Sequence, residues 1–265
     1  MIAPPSPSSE FSADKLKVAV YPDRRAMGEA AASYVARHLL QLLANQGEAR
    51  IVVGSAPSQD EFFGFLTSPE NVERVDWSRI VVFHMDEYVG LNADHPQSFR
   101  AYQQKHLLSK VTPKIFHPIS GEALDLEAEC RRLTDLLTEK PIDLVCLGIG
   151  ENGHLAFNDP PAPFDDPEWV KVVELDAACR RQQVNDGCFP SVADVPGHAI
   201  TLTLRLFREA AKLSGVVPGP RKARAVVAAL KGPITQDCPA TLIRNHPDAR
   251  LFLDVDSAAL IAEDA

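Results

Sequence analysis

Along this chain, short apolar runs alternate with longer stretches in which apolar residues recur every three or four positions. The runs at 16–21, 50–53, 80–83, 141–147, 212–217 and 250–255 have the length and β-branched content of buried strands, and the third is expected to extend to Asp86. Between the first two, Met27, Ala31, Val35, Leu39 and Leu43 keep helical spacing until Gln46-Gly47 stops it. Ser58 and Glu61 form a capping-box pattern ahead of a helix through Leu66, and further helices are expected over 97–108, 124–137 and 221–230. Strands alternating with helices imply a single α/β domain over 15–262: a doubly wound, mainly parallel, Rossmann-like sheet with helices on both faces. Two segments break the pattern. Residues 161–194, in a stretch carrying Pro160, Pro161, Pro163, Pro167 and Pro190, read as a lid-like excursion, with an inconsequential surface loop as the plain alternative. Residues 1–14 are rich in Pro and Ser and read as a disordered tail; without a basic start and apolar centre they do not make a secretory signal.

Open α/β sheets take ligands beyond the carboxyl ends of their strands, and here two strand ends carry unusual chemistry. The run 142–147 leads into GIGENGHLAFNDP, where Gly148, Gly150 and Gly153 allow tight backbone and Asn152, His154, Asn158 and Asp159 supply donors, acceptors and an imidazole. A glycine-rich turn around a hydrogen-bonded histidine is its bland reading. The run 80–83 leads into His84-Met85-Asp86-Glu87-Tyr88, whose paired carboxylates repel and differ in proton affinity. Adjacent side chains on an extended segment point to opposite sides, so Asp86 is expected to face a substrate as base while Glu87 orients a neighbour. Two strand-to-helix turns offer anion seats: Gly54-Ser55-Ala56-Pro57-Ser58, and Pro218 to Lys222, where a cation in the first helical turn is unfavourable unless an anion neutralises it.

Composition narrows the partners. With 265 residues and 45% apolar content the chain can bury a sizeable core. A formal charge of −9 and a pI near 5.4 argue against nucleic acid and anionic membrane surfaces, so an anionic small molecule would need a local basic pocket. No run of about twenty apolar residues exists to span a bilayer. Five cysteines without a CxxC pair read as reduced thiols of a cytoplasmic protein. His84, His95 and His106 lack close ligand spacing, so no metal is expected, and a homo-oligomer is left open.

The segments FHMDEYVGL, HPQSFRAY and GIGENGHLAFNDP resemble, in order, the FxMDEYVGL, HPxS and GxGxxGHxAFNEP motifs of the glucosamine-6-phosphate deaminase (isomerase) family. The likeness is close over 82–160 and weaker to about residue 256. It implies an amino-sugar phosphate substrate that is ring-opened, isomerised between C1 and C2 and deaminated to fructose 6-phosphate and ammonium, without redox cofactor or metal. On this likeness Asp86 moves the proton from C2 to C1, His154 assists ring opening, and Gly54, Ser55 and Lys222 bind phosphate. The chain departs from the family at Asn152 (commonly Asp) and Asp159 (commonly Glu), which puts the charge balance around His154 in question, and at Ala56 (often Thr), which weakens the likeness of the phosphate loop. The lid arginine of relatives has no counterpart in register, where Asn185 or Gly187 falls; Arg180 or Arg181 is the expected substitute. The basic residues of the acetylated-sugar allosteric site are unmatched, so no such activation is expected. Three rivals remain: a galactosamine-6-phosphate isomerase, a 6-phosphogluconolactonase, which resembles the loop but lacks the MDEY segment, and a sugar-phosphate-binding regulator without catalysis.

Overall fold

The computed structural model describes residues 4–261. The chain begins with strands β1 (Ser9–Ala13) and β2 (Leu16–Tyr21), helix α1 (Arg24–Asn45), strand β3 (Ala49–Val53), and helices α2 (Asp60–Leu66) and α3 (Pro69–Arg74). Then come β4 (Ile80–His84), β5 (Asp86–Tyr88), α4 (Phe99–Gln103), β6 (Ile115–His117), α5 (Leu126–Thr138) and β7 (Leu144–Leu147). The last part holds β8 (Val170–Glu174), α6 (Ala177–Asn185), β9 (His198–Leu202), α7 (Leu204–Glu209), β10 (Leu213–Val217), α8 (Ala223–Lys231) and β11 (Ala249–Asp254).

The main sheet has the order β1-β2-β11-β10-β7-β3-β4-β6, and every neighbouring pair is parallel except β1 with β2. Successive residues of its strands feed opposite cores. Val18, Val52, Val81 and Phe83 join one apolar cluster, while Ala19, Ile51, Val53 and Val82 join the other. Both faces are therefore covered, which is why these runs are apolar without alternation. Helix α1 covers one face with Met27, Ala31, Val35, Leu39 and Leu43, and Asp23 caps it by accepting from the Ala26 amide at 2.8 Å. Truncating Leu39 to alanine would cost about 2–5 kcal/mol.

A second, antiparallel sheet, β5-β9-β8, stands over the carboxyl edge of the first. The expected strand through Asp86 is two strands. The main-sheet strand ends at His84, and Met85 links the sheets, its N–H donating to Val53 O (3.2 Å) and its carbonyl accepting from Leu202 N (2.9 Å). Asp86 then pairs with Thr201 in the small sheet.

Other expectations shift as well. Residues 9–13, assigned to the tail, form the edge strand β1, paired along its length with β2; residues 1–3 lie outside the described ones. The capping box is not made: Pro57–Gln59 forms a 3-10 turn, Ser58 Oγ accepts weakly from Gln59 Nε2 (3.4 Å), and Glu61 pairs with Arg24 at 2.7 Å. The segment 161–194 contains β8, an edge strand of the small sheet with Val170 alone fully buried, and α6, whose buried apolar residue Cys179 joins a satellite cluster; neither offers a periodic apolar stripe. The expected helix over 97–108 is α4 continued by a π turn, Gln104–Leu108.

Candidate active site

A cavity of about 70 Å³ lies beyond the ends of β3, β4, β7 and β10. Gly54 and Ser55 line it from the first of these ends, Asp86 from beyond the second, Gly150 and His154 from the third, and Lys222 from the fourth. Helix α6 closes it with Gln182 and Gln183. A second chamber of about 230 Å³ adjoins it and shares Ser55, Ala56, Phe99 and Gln183.

The loop after β7 is shaped around His154. A Cβ on Gly150 would come within 2.3 Å of the imidazole, so only glycine allows the ring to lie against the backbone there. Gly153 has φ +85°, the left-handed region that glycine enters without strain. The carboxylate of Asp159 can only accept, so the ring proton sits on His154 Nδ1 and donates to Asp159 Oδ1 at 3.0 Å. Asn152 Nδ2 donates to the same oxygen at 3.0 Å, and Asn152 Oδ1 accepts from the His154 amide at 3.1 Å. Burial alone would raise the Asp159 carboxyl, but the hydrogen bond and attraction from His154, with help from Asn152 and the Asp176 amide, bring it below the ordinary value. The other ring nitrogen, Nε2, is left for chemistry. Asn158 has a structural part: its amide donates to Leu155 O and Leu202 O, tying the loop to β9.

Asp86 and Glu87 separate as the extended backbone requires. Asp86 is 7% exposed and lines the cavity, and its carboxylate accepts no hydrogen bond among the described residues. Burial pushes its carboxyl well up, and the neighbouring Glu87 charge adds to that. Glu87 is wholly enclosed and accepts from the amides of Tyr88, Phe99 and Arg100 and from Arg100 Nε at 3.2 Å. Burial still leaves its carboxyl above the ordinary range, although those three amides and the guanidinium oppose it. His84, next along, accepts from the Ile119 amide and is held near pKa 3 by burial and by Arg100, so it is a neutral core residue.

Lys222 is 7% exposed, and its ammonium has no ion pair or hydrogen bond among the described residues. Burial lowers its ammonium below the usual lysine range, while Asp186 and Glu151 pull the other way. Of the two expected anion seats, the loop 54–58 keeps the Ser55 and Ala56 N–H groups without protein acceptors among the described residues. At Pro218 to Lys222 the Gly219 amide is taken by the Asp254 carboxylate at 3.0 Å, so that turn contributes its lysine rather than its backbone.

Arg181 does not reach the cavity. It lies on the exposed side of α6, whose inward side carries Gln182 and Gln183, and Arg180 is spent on Val192 O and Val195 O. The residues missed from sequence are glutamines: Gln59, Gln182 and Gln183 line the cavity, and nothing in their spacing marks them. Among the described residues one trio, His154, Asp159 and Cys179, brings its ligand atoms within 4.8 Å of one another. Asp159 Oδ1 there already accepts from both His154 and Asn152, the geometry of a hydrogen-bonded dyad. All five cysteines are free thiols, and among the described residues no helix is long and apolar enough to cross a membrane.

The sequence profile of the family described as glucosamine-6-phosphate isomerases/6-phosphogluconolactonase matches residues 22–252. The chain belongs to this family. The glucosamine-6-phosphate deaminase of Listeria monocytogenes serotype 4b (strain CLIP80459) is 40% identical to it over 187 residues, 71% of this chain and 78% of that protein. A solved monomeric glucosamine-6-phosphate deaminase superposes with a TM-score of 0.84 at 28% identity, covering 92% of this chain and 99% of its own. A 6-phosphogluconolactonase from Shewanella baltica shares the fold at 18% identity, with a TM-score of 0.73 over 92% of this chain and 100% of its own. The deaminase and lactonase branches thus lie on one scaffold, with the deaminases nearer in sequence.

Proposed function

We propose that this family member converts glucosamine 6-phosphate and water into fructose 6-phosphate and ammonium. The observation that carries the reading is the convergence of Asp86, His154 and Lys222 from three strand ends on one cavity. The 40% identity to a glucosamine-6-phosphate deaminase supports the choice among family activities.

The phosphate sits against the Ser55 and Ala56 amides and the Ser55 hydroxyl, with Lys222 as counter-cation; the loop after β3 supplies direction and the lysine supplies charge. His154, through Nε2, takes the proton of the C1 hydroxyl and returns one to the ring oxygen as the pyranose opens, and Asp159 holds the tautomer and stabilises the transient imidazolium. Asn152 anchors Asp159 without adding a charge. Asp86 then removes the C2 proton and delivers it to C1, while the proton lost by the substrate's C2 ammonium goes to the C1 oxygen, so that C1 becomes a hydroxymethyl group and C2 an iminium. Water adds to C2 and ammonia leaves with a proton. Its raised proton affinity makes Asp86 a stronger base once ionised, and Glu87, locked by four donors, fixes the backbone from which Asp86 projects.

Helix α6 covers one side of the cavity, whose volume of about 70 Å³ is smaller than the roughly 300 Å³ usual for a ligand site. The substrate therefore enters as α6 withdraws and spans both chambers, the lid behaviour assigned to residues 161–194. The proposed setting is cytoplasmic, with a small sugar phosphate as partner and no cofactor. Incubation with glucosamine 6-phosphate, following ammonium and fructose 6-phosphate together, tests the reading: equal release supports it, and turnover of 6-phosphogluconolactone alone would move the chain to the other branch.

A further inference from the structure

Gln103 is the last residue of α4, at the junction with the π turn, and is completely buried behind the cavity wall rather than in it. Its Nε2 lies 3.0 Å from Gly54 O and 2.8 Å from Ser55 Oγ. A carbonyl can only accept, so the nitrogen of the amide, not its oxygen, must face the loop. One NH2 group thus donates to both atoms. Ser55 Oγ is an acceptor on that side, and its single hydrogen is left for the cavity that Ser55 lines. The arrangement leaves Gln103 Oε1 buried with no partner among the described residues, a feature that folding alone disfavours.

We propose that Gln103 is a positioning residue that sets the polarity of the anion seat. By holding Ser55 Oγ as an acceptor it presents the Ser55 hydroxyl as an obligatory donor, which suits an ionised phosphoryl oxygen. This rests on the loop after β3 being the phosphate seat of the proposed reaction. Gln103 touches no reacting atom; it acts through Ser55 and should affect ground state and transition state alike.

The test is a double-substitution cycle with Gln103→Met, which keeps the volume but not the clamp, and Ser55→Ala. Each protein is characterised by steady-state kinetics on glucosamine 6-phosphate and by its affinity for inorganic phosphate, followed by phosphorus NMR line broadening. Gln103→Met should raise KM and weaken phosphate binding about tenfold, the loss of one charge-assisted hydrogen bond, with kcat within about twofold. In the Ser55→Ala background the same substitution should add less than about twofold. An undiminished effect in that background, or a fall in kcat at constant KM, would overturn the proposal. Should Gln103→Met not fold, Ser55→Ala alone decides: about tenfold weaker phosphate binding supports the donor role and unchanged binding contradicts it. Coupled loss of phosphate binding in a protein that does not turn over glucosamine 6-phosphate would sink the function while leaving this inference standing. Turnover without coupling would sink the inference alone.

Discussion

The carboxylate of Asp86 faces a cavity in which no described residue donates to it, and burial with the Glu87 charge raises its proton affinity. The folded protein therefore holds this proton more tightly than the unfolded chain does, and ionised Asp86 is a stability cost. Each unit of pKa shift is about 1.36 kcal/mol, so between an ordinary value of about 3.9 and pH 7 the cost cannot exceed about 4 kcal/mol. With that ceiling, and at roughly 2–4 °C in Tm per kcal/mol for a domain of this length, the gap should be several degrees. Asp86→Asn should remove that cost and, with it, about 10²-fold or more of the rate. Thermal unfolding of both proteins between about pH 3 and pH 8 provides the check. Below the unfolded pKa both states are protonated and the two proteins should melt together. As pH rises the wild type should fall progressively behind the variant until pH passes the folded pKa of Asp86, after which the gap stays constant. A variant less stable than wild type, or a gap independent of pH, would refute the reasoning.

Arg100→Leu should cost about 3 kcal/mol in urea unfolding, because it strands the enclosed Glu87, 3.2 Å from the guanidinium; a cost below about 1 kcal/mol would mean that the three amide donors suffice. Lys222→Met should raise KM about 10²-fold with a smaller change in kcat. In the wild type, phosphate binding should weaken as pH rises through the Lys222 pKa, which burial places below the usual lysine range; constant affinity through that range would contradict the assignment. Asn152→Asp removes a donor from Asp159 Oδ1 and sets a second carboxylate beside it, raising the Asp159 carboxyl, so the acid limb of the pH–rate profile should move up. An unchanged profile would count against the dyad.

The strand-and-helix frame was legible because both faces of the main sheet are buried, so β3, β4, β7 and β10 read as unbroken apolar runs and α1 as a clean helical stripe. Their ends were legible because an imidazole and amides set among close-spaced glycines after β7, and the paired carboxylates Asp86 and Glu87 after β4, are a mixture that a plain surface turn rarely needs. What pattern could not show is where one strand changes sheets: Met85 hydrogen-bonds to both Val53 and Leu202, and no local preference marks that switch. The capping pattern at Ser58 lost to the Arg24–Glu61 ion pair, a contact between elements distant in sequence. Within 161–194, β8 is an edge strand with Val170 alone fully buried, and α6 packs on a satellite cluster around Tyr88, Phe99, Phe157 and Phe189, so their apolar spacing is sparse. Arg180 or Arg181 was expected to stand in for the lid arginine of relatives, whereas the helix turns Gln182 and Gln183 to the cavity. Gln103 left no trace in the sequence, because its role depends on which atoms of a remote loop its amide meets.

The central claim is that Asp86 and His154, meeting in this cavity, isomerise and deaminate an amino-sugar phosphate. Its most direct test is the simultaneous measurement of ammonium and fructose 6-phosphate from glucosamine 6-phosphate by the purified wild type, with Asp86→Asn as control and galactosamine 6-phosphate and 6-phosphogluconolactone in parallel. The account predicts equimolar release of both products from glucosamine 6-phosphate and its loss in the variant. Undiminished turnover in Asp86→Asn, or no release of either product by the wild type, would contradict it.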